Sequence, residues 1–459
     1  MKEITRLSAL QLSTAIARGE LSSECVTAAF LDRIASRNPG IGALVSVWPA
    51  RALRRARAFD RRGGAGRGPR GIFAGVPSAI KDVDASRGAP LRMGSRTCRG
   101  LVTPFDGAVA RRVRRGGFNL IGKSATSEFA LMPVTEPDIH PPCRNPANPA
   151  FTAGGSSGGA AAAVADRLLP IAHGSDAAGS IRIPASLCGL FGFKPSRGLL
   201  PNFYPAIDRG ALCTVNCLAR SVEDSAAFLD ALRGLRYTPD APPPDSLLSA
   251  ARHPPRALRI RYCLSTPVVE TDPAVGAAVV RATERLRALG HTLEEAAPLA
   301  LEVDDFLPVW QRLAATMPLP PGAPVQACTR SLRAAGARID TADARALQVR
   351  LAARIDAWLG DADLWLTPTV AVQPPRVGDH LRGRERDGDA QVRAVAPLAA
   401  FTAPYNVSGQ PAASLPLSRL DSGLPIGVQL GARRGADPLL LAVCRQLEQQ
   451  EPFDLGAGS

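Results

Sequence analysis

Three short stretches of this chain carry residue types at spacings that could do chemistry. Gly154 to Pro184 reads GGSSGGAAAAVADRLLPIAHGSDAAGSIRIP, with a Gly/Ser cluster at each end and an Ala-rich segment and a short apolar run between them. Glycine at that density lets the backbone take positive φ and lets amide N–H groups approach a ligand without a Cβ in the way. A loop such as Asp176-Ala177-Ala178-Gly179-Ser180 can aim several N–H groups at one point, which suits an oxyanion or a phosphate. Upstream, Gly75-Val76-Pro77-Ser78-Ala79-Ile80-Lys81-Asp82 sets a lysine in an apolar, Pro-bounded run. Lysine is scarce: Lys2, Lys81, Lys123 and Lys194 are the only ones, and arginine supplies the rest of the 55 basic residues. A desolvated lysine can lose its proton near neutrality and an arginine cannot, so Lys81 is a candidate proton acceptor. Plainer alternatives stand beside these: Gly/Ser clusters are commonly flexible turns, and a strand-end lysine can snorkel to solvent.

The elements that must position these residues follow from local signals. Ser156-Ser157 stands where an N-cap belongs, ahead of helix-forming composition from Gly158 to Asp166. Leu168 to Ala172 then reads as a short buried strand ending in a loop from His173 to Ser180. Residues 5–62 read as helices: Ser8 can cap one with Leu12, Ala15 and Ile16 on a face and Gly19 near its end. Ser22 or Ser23 can cap the next, with the stripe Val26, Phe30, Ile34. Residues 63–70 form a polar Gly-rich loop, and from Gly71 short apolar runs alternate with helices, the pattern of an α/β domain. Leu258 to Leu264 alternates as a strand, Asp272-Pro273 opens a helix carrying Val275, Val279, Ala282 and Leu286 on one face, and Gly290 stops it. Leu424 to Leu430 is a late strand, and Asp437-Pro438 opens a final helix through Leu447. The Pro-rich pieces at 239–245 and 317–324 are surface loops too short to separate domains. One large α/β domain over 1–459 is expected.

Composition excludes several function classes. With 459 residues and 46% hydrophobic content the chain can bury a large core. The net charge of +14 might suggest nucleic acid, but the arginines are scattered, aromatic content is 5%, and no basic patch interleaves with aromatics. Nine cysteines at irregular spacing, Cys213 and Cys217 being the one close pair, lack zinc spacing and read as reduced buried thiols. No run reaches the roughly 18 apolar residues that span a bilayer. The start, MKEITRLSALQL, lacks a cationic segment followed by a long apolar one, so a cytoplasmic protein is expected.

Three other catalytic patterns occur by spacing alone. Gly117 to Ser124, GFNLIGKS, satisfies the phosphate-loop pattern, yet Phe118 to Ile121 are strand-like where a phosphate cradle needs a loop. Gly154 to Gly158 satisfies G-x-S-x-G, but a nucleophile elbow needs a buried strand directly before it, and CRNPANPAFTA reads as a Pro/Asn loop. Of the histidines that could serve such a serine (His140, His173, His253, His291, His380), His140, His253 and His380 have surface-like surroundings. Ser78-Ala79-Ile80-Lys81 satisfies S-x-x-K, but in a strand those two side chains point to opposite faces.

The ensemble of motifs resembles the amidase signature family. The resemblance runs through nearly the whole chain: LSALQLSTAIARGELSSECV, GFNLIGKSATSEFAL, CRNPANPAFTAGGSSGG, GSDAAGSIRIP, CGLFGFKPSRG, LARSVEDSAAFLDAL, LWLTPTV and FTAPYNVSGQPAASLPL through LPIGVQLGA. It implies a central mixed β-sheet covered by helices on both faces, with an N-terminal helical segment at 5–62, a catalytic core at 71–220 and the remaining sheet and pocket elements at 221–459. It also implies a Ser–cis-Ser–Lys triad: Ser180 as nucleophile, Ser156 as bridging serine on a cis peptide, Lys81 as base. Backbone N–H groups of Ala177, Ala178, Gly179 and Ser180 would hold the oxyanion, with Asp176, Arg182 and Ser157 in support. The family's nucleophile loop usually reads Gly-Gly-Ser; here it is Ala178-Gly179-Ser180, and alanine still offers its N–H. The implied activity is cleavage of a carboxamide C–N bond through an acyl-enzyme, without metal or organic cofactor. The substrate would be a small-molecule amide, linear or cyclic, the branch of cyclic nylon-oligomer amidases being nearest, with no nucleic acid and no membrane as partner. Acyl transfer to an amine, a catalytically inactive binding scaffold and a homodimer are left open. Pocket walls are expected from residues 125–140, 200–217, 306–330 and 365–376.

Overall fold

Serine caps start the first two helices as the sequence predicts. In a computed structural model that describes residues 3–63 and 71–453, Ser8 caps Ala9–Ala17 in a reciprocal box with Gln11, and Ser22 caps Ser23–Ile41 by accepting from the Cys25 N–H. The stripe Val26, Phe30, Ile34 is buried. The segment 5–62 is not purely helical, however. Leu44–Val47 forms a strand before the helix Pro49–Arg61, because it pairs antiparallel with Asn119–Ser124, a partner far along the chain. Four residues are too few for periodicity to reveal a strand. The Gly-rich loop read at 63–70 lies, apart from Gly63, outside the described residues.

The main sheet has eight strands. In spatial order they are Thr292–Glu295, Arg259–Tyr262, Leu364–Pro368, Pro425–Ala432, Ala412–Arg419, Phe191–Lys194, Thr214–Ala219 and Ile171–Asp176. The first two pairings are parallel and the rest antiparallel, so the sheet is mixed. Alternate residues of one strand enter different cores: Val215, Cys217 and Ala219 join the cluster under the helix Val222–Arg233, whereas Leu218 joins the cluster under Gly158–Ala165. Helices therefore cover both faces, as the period of two along a buried strand requires.

A second sheet orders Leu44–Val47, Asn119–Ser124 and Pro77–Lys81. Its last strand lies against the edge strand Ile171–Asp176 of the main sheet. Ser78 Oγ donates to the Ile171 carbonyl at 3.0 Å, and the Lys81 N–H donates to His173 Nδ1 at 3.3 Å. Lys81 thus ends one sheet beside the strand that ends in Asp176.

The helix Gly158–Ala165 is buried along its whole length, and small side chains make that possible. A Cβ on Gly159 would run into the backbone of Ala125 and Ala43. The strand that follows is Ile171–Asp176, not Leu168–Ala172. The N–H groups of Leu168 and Leu169 both bond the Ala163 carbonyl and close the helix end, while His173 to Asp176 pair with Thr214–Asn216 and Cys217. A polar run becomes a buried strand because its neighbour supplies the ladder, which local composition does not show. The helix read from Asp272-Pro273 is present as Pro273–Ala288, with Asp272 as cap. The final helix, Asp437–Gln450, differs in detail. Asp437 lies inside it, and its carboxylate accepts the Ser196 N–H at 2.8 Å instead of capping.

Candidate active site

Lys81 is fully buried, and its Nζ lies 2.7 Å from Ser156 Oγ and 3.0 Å from Ser175 Oγ. Burial lowers its pKa to about 8, against the opposing pull of Cys213, Asp84 and Asp176. An amine so placed exchanges protons near neutrality and has a hydroxyl within reach. The peptide bond Gly155–Ser156 is cis. Ser157 occupies the N-cap position without capping. Its hydroxyl donates to the Ser175 carbonyl at 3.2 Å and accepts the Ser175 N–H at 3.3 Å, and its own N–H donates to the Ser180 carbonyl at 3.1 Å. Ser157 thereby ties the Ser156 turn to the edge strand Ile171–Asp176 and to Ser180.

The turn ahead of Ser180 is braced by a buried ion pair. Arg182 Nε and Nη2 donate to the two Asp176 oxygens at 3.0 and 2.9 Å, with both residues fully buried. Burial by itself would raise the Asp176 carboxyl, but the charge and hydrogen bonds of Arg182 prevail and hold it near 2. The remaining donors and acceptors are satisfied too: Asn406 Nδ2 donates to Asp176, and Arg182 donates to Asn406 Oδ1 at 2.6 Å and Gln429 Oε1 at 2.8 Å. Asp176 Oδ1 also accepts the Gly179 N–H at 2.7 Å. That bond corrects one expectation, because the Gly179 amide is turned inward to the carboxylate. Gly179 itself sits at φ +122°, and a Cβ there would collide with Thr402 and Ile183, so the turn requires glycine. Asp176→Asn is expected to destabilise the protein by about 3–5 kcal/mol, since it strands a buried guanidinium. Urea unfolding measures this, and a loss under about 1 kcal/mol would contradict the bracing role.

Ser180, 8% exposed, opens on an apolar groove. Its walls come from 131–133, 301–310 and 392–404, with Ile183 and Val268. Two expected wall segments, 125–140 and 306–330, contribute. The other two do not: 200–217 lies behind the lysine, where Tyr204 donates its hydroxyl to Asp84 at 3.1 Å, and 365–376 begins in the strand Leu364–Pro368 of the main sheet. The helix Gly388–Ala399 takes their place, placing Val392, Val395, Ala396 and Ala399 on the groove. Their helical spacing was the available signal. Among the described residues no group of three or more His, Cys, Asp or Glu could hold a metal ion.

The family model Amidase matches residues 25–315 and 325–441. This chain belongs to the amidase signature family. It is 33% identical to the 6-aminohexanoate-cyclic-dimer hydrolase of Paenarthrobacter ureafaciens, covering 95% of this chain and 93% of that one. It is 32% identical to a putative amidase of Synechocystis sp., covering 98% and 90%. Among solved structures, 6-aminohexanoate cyclic dimer hydrolase complexed with substrate matches with a TM-score of 0.87 at 31% identity, over 98% of this chain and 99% of the other. A bacterial aryl acylamidase of the amidase signature enzymes matches at 0.85 and 27% identity, over 99% of each chain. The protein is an amidase, a hydrolase of carbon–nitrogen bonds in amides.

Within this amidase the rival patterns dissolve. The phosphate-loop match runs into the strand Asn119–Ser124, and Lys123 pairs with Asp82 at 3.3 Å, fully buried. A short strand, Asn148–Thr152, does precede Gly154, contrary to the loop reading, but only Thr152 in it is buried and it belongs to a small hairpin. His253 is exposed as expected, whereas His380 is buried against Glu136 and His140 is half-buried. His173, on the edge strand, is fully buried. Burial, then Lys81 and Lys123, pushes it to about 3, so it stays neutral and receives the Lys81 N–H. The amidase residues that sequence reasoning missed are Ser175, Asn406 and Gln429. Each lies in a quoted motif, yet their contacts with Lys81, Asp176 and Arg182 arise only in three dimensions.

Proposed function

We propose that this amidase cleaves a carboxamide through an acyl-enzyme on Ser180, with Ser156 and Lys81 as the proton relay. The observation that carries the reading is the 2.7 Å contact between a fully buried lysine amine and Ser156, beside the segment that binds the Ser180 carbonyl. Neutral Lys81 accepts the Ser156 hydroxyl proton as Ser156 accepts that of Ser180, and the Ser180 oxygen bonds to the carbonyl carbon. The carbonyl π pair moves onto oxygen, where the N–H groups of Ala177, Ala178 and Ser180 are the assigned donors, each worth about 3–4 kcal/mol when well placed. On collapse the C–N bond breaks, Ser156 hands its proton to the departing nitrogen, and Lys81 returns one to Ser156. Water then releases the acyl group by the same relay in reverse. Asp176, Arg182 and Ser157 position the loop and touch no reacting atom in this scheme.

Hydrolysis rather than acyl transfer is supported by the relatives named as hydrolases, and amides both linear and cyclic come within the reading. A cytoplasmic setting is supported by nine cysteines that are all free. Labelling with a small alkyl fluorophosphonate tests the nucleophile. Peptide mapping is expected to find the adduct on Ser180, and an adduct on Ser156 or Ser157 instead would overturn the assignment.

A further inference from the structure

Resting on Ser180 as the nucleophile, we propose that the group seated in the groove beside it is flat, apolar and uncharged, an aryl or cyclic moiety, and that the groove rejects carboxylates. The lining is apolar but for Ser180 itself and one acid, Glu302, which is exposed at the start of the helix Val303–Ala315. No lysine, arginine or histidine lines it, in a chain of net charge +14. Two arginines adjoin lining residues in sequence, and carboxylates hold both: Arg393 by Asp304 at 2.7 Å and Asp389 at 2.9 Å, and Arg182 by Asp176 at 3.0 and 2.9 Å. A carboxylate entering the groove would lose its hydration, gain no cation and meet the charge of Glu302.

Shape supports the same class. The aromatic lining comes from one helix, where Phe306 and Trp310 lie with ring centroids 6.0 Å apart and planes 28° apart, a surface on which a flat ring can stack. Five alanines also line it, among aliphatic side chains such as Met132, Ile183 and Val395: Ala178 from the nucleophile turn, Ala396 and Ala399 from the helix Gly388–Ala399, then Ala400 and Ala403. These small side chains leave width for a ring. A small polar amide would leave this apolar surface unfilled.

The test uses three fluorophosphonates that differ in one substituent (methyl, phenyl or 4-carboxyphenyl) and reads the second-order rate of adduct formation at Ser180. The phenyl probe is expected to react about 100-fold or more faster than the 4-carboxyphenyl probe. Glu302→Gln should narrow that ratio about tenfold, and Ala399→Phe should lower the phenyl-to-methyl ratio at least about tenfold by filling the slot. Ser180 labelled by phenyl and 4-carboxyphenyl probes at rates within about threefold would overturn the groove assignment and leave the nucleophile standing. Absence of any adduct at Ser180 with all three would overturn the nucleophile itself.

Discussion

Replacing Ser180 with alanine is expected to lower kcat for amide hydrolysis by about 10⁶-fold, the scale seen when the nucleophile of a coupled serine-based relay is removed. The loss is that large because no covalent route remains. Ser156 and Lys81 would still be in contact, and the loop held by Asp176 and Arg182 would still present its amides, but water would have to attack the amide directly. The groove is built mostly by side chains other than Ser180, so KM should change by only a few-fold. Steady-state kinetics with an anilide substrate, alongside a thermal melt to show the variant is folded, decides it. Retention of a tenth or more of the wild-type kcat would remove Ser180 from the mechanism.

Lys81→Ala should cost about 10³–10⁴-fold in kcat, the upper range for loss of a positioned proton acceptor. The wild-type pH profile carries a second, independent signature. The amine must be neutral to accept a proton, and burial places its folded pKa near 8. Activity is therefore expected to be low at pH 6, to rise about tenfold per pH unit below the midpoint, and to level off above about pH 9. Lys194, also buried, with its pKa lowered to about 7 by burial and then by Arg182, donates to the Pro195 carbonyl instead of either serine. The midpoint should consequently survive Lys194→Met. Lys81→Arg separates base from cation: it keeps the positive charge and cannot give up its proton, so it should be as inactive as alanine. A flat profile from pH 6 to 10, or substantial rate in the arginine variant, would refute the role of Lys81 as base.

Much of the scaffold was legible from local chemistry. The Ser8 and Ser22 caps, the Asp272-Pro273 start and the buried stripe of Val26, Phe30 and Ile34 depend on neighbours within a helical turn or two, and they stand as expected. Two elements whose existence depends on a distant partner differ from the expectation. Leu44–Val47 is a strand because Asn119–Ser124 lies beside it, and His173 to Asp176 are strand because Thr214–Ala219 pairs with them. The groove suffered for the same reason, since 392–404 reaches it from the far end of the chain while 200–217 folds behind the lysine.

By itself the sequence determined the candidate reactive groups: one lysine in an apolar run, two serines in glycine-rich turns, and an acid and an arginine flanking the second. Residue type and short-range spacing decide what chemistry a side chain can do. Tertiary structure alone decided which of those groups meet and which amides stay available. It brought the amine of Lys81 to Ser156 across 75 positions, turned the Gly179 amide to Asp176, and closed the brace with Asn406 and Gln429 from more than two hundred residues away. Proton transfer and charge pairing fall off within a few ångströms, so they depend on distances that only the packed sheets create.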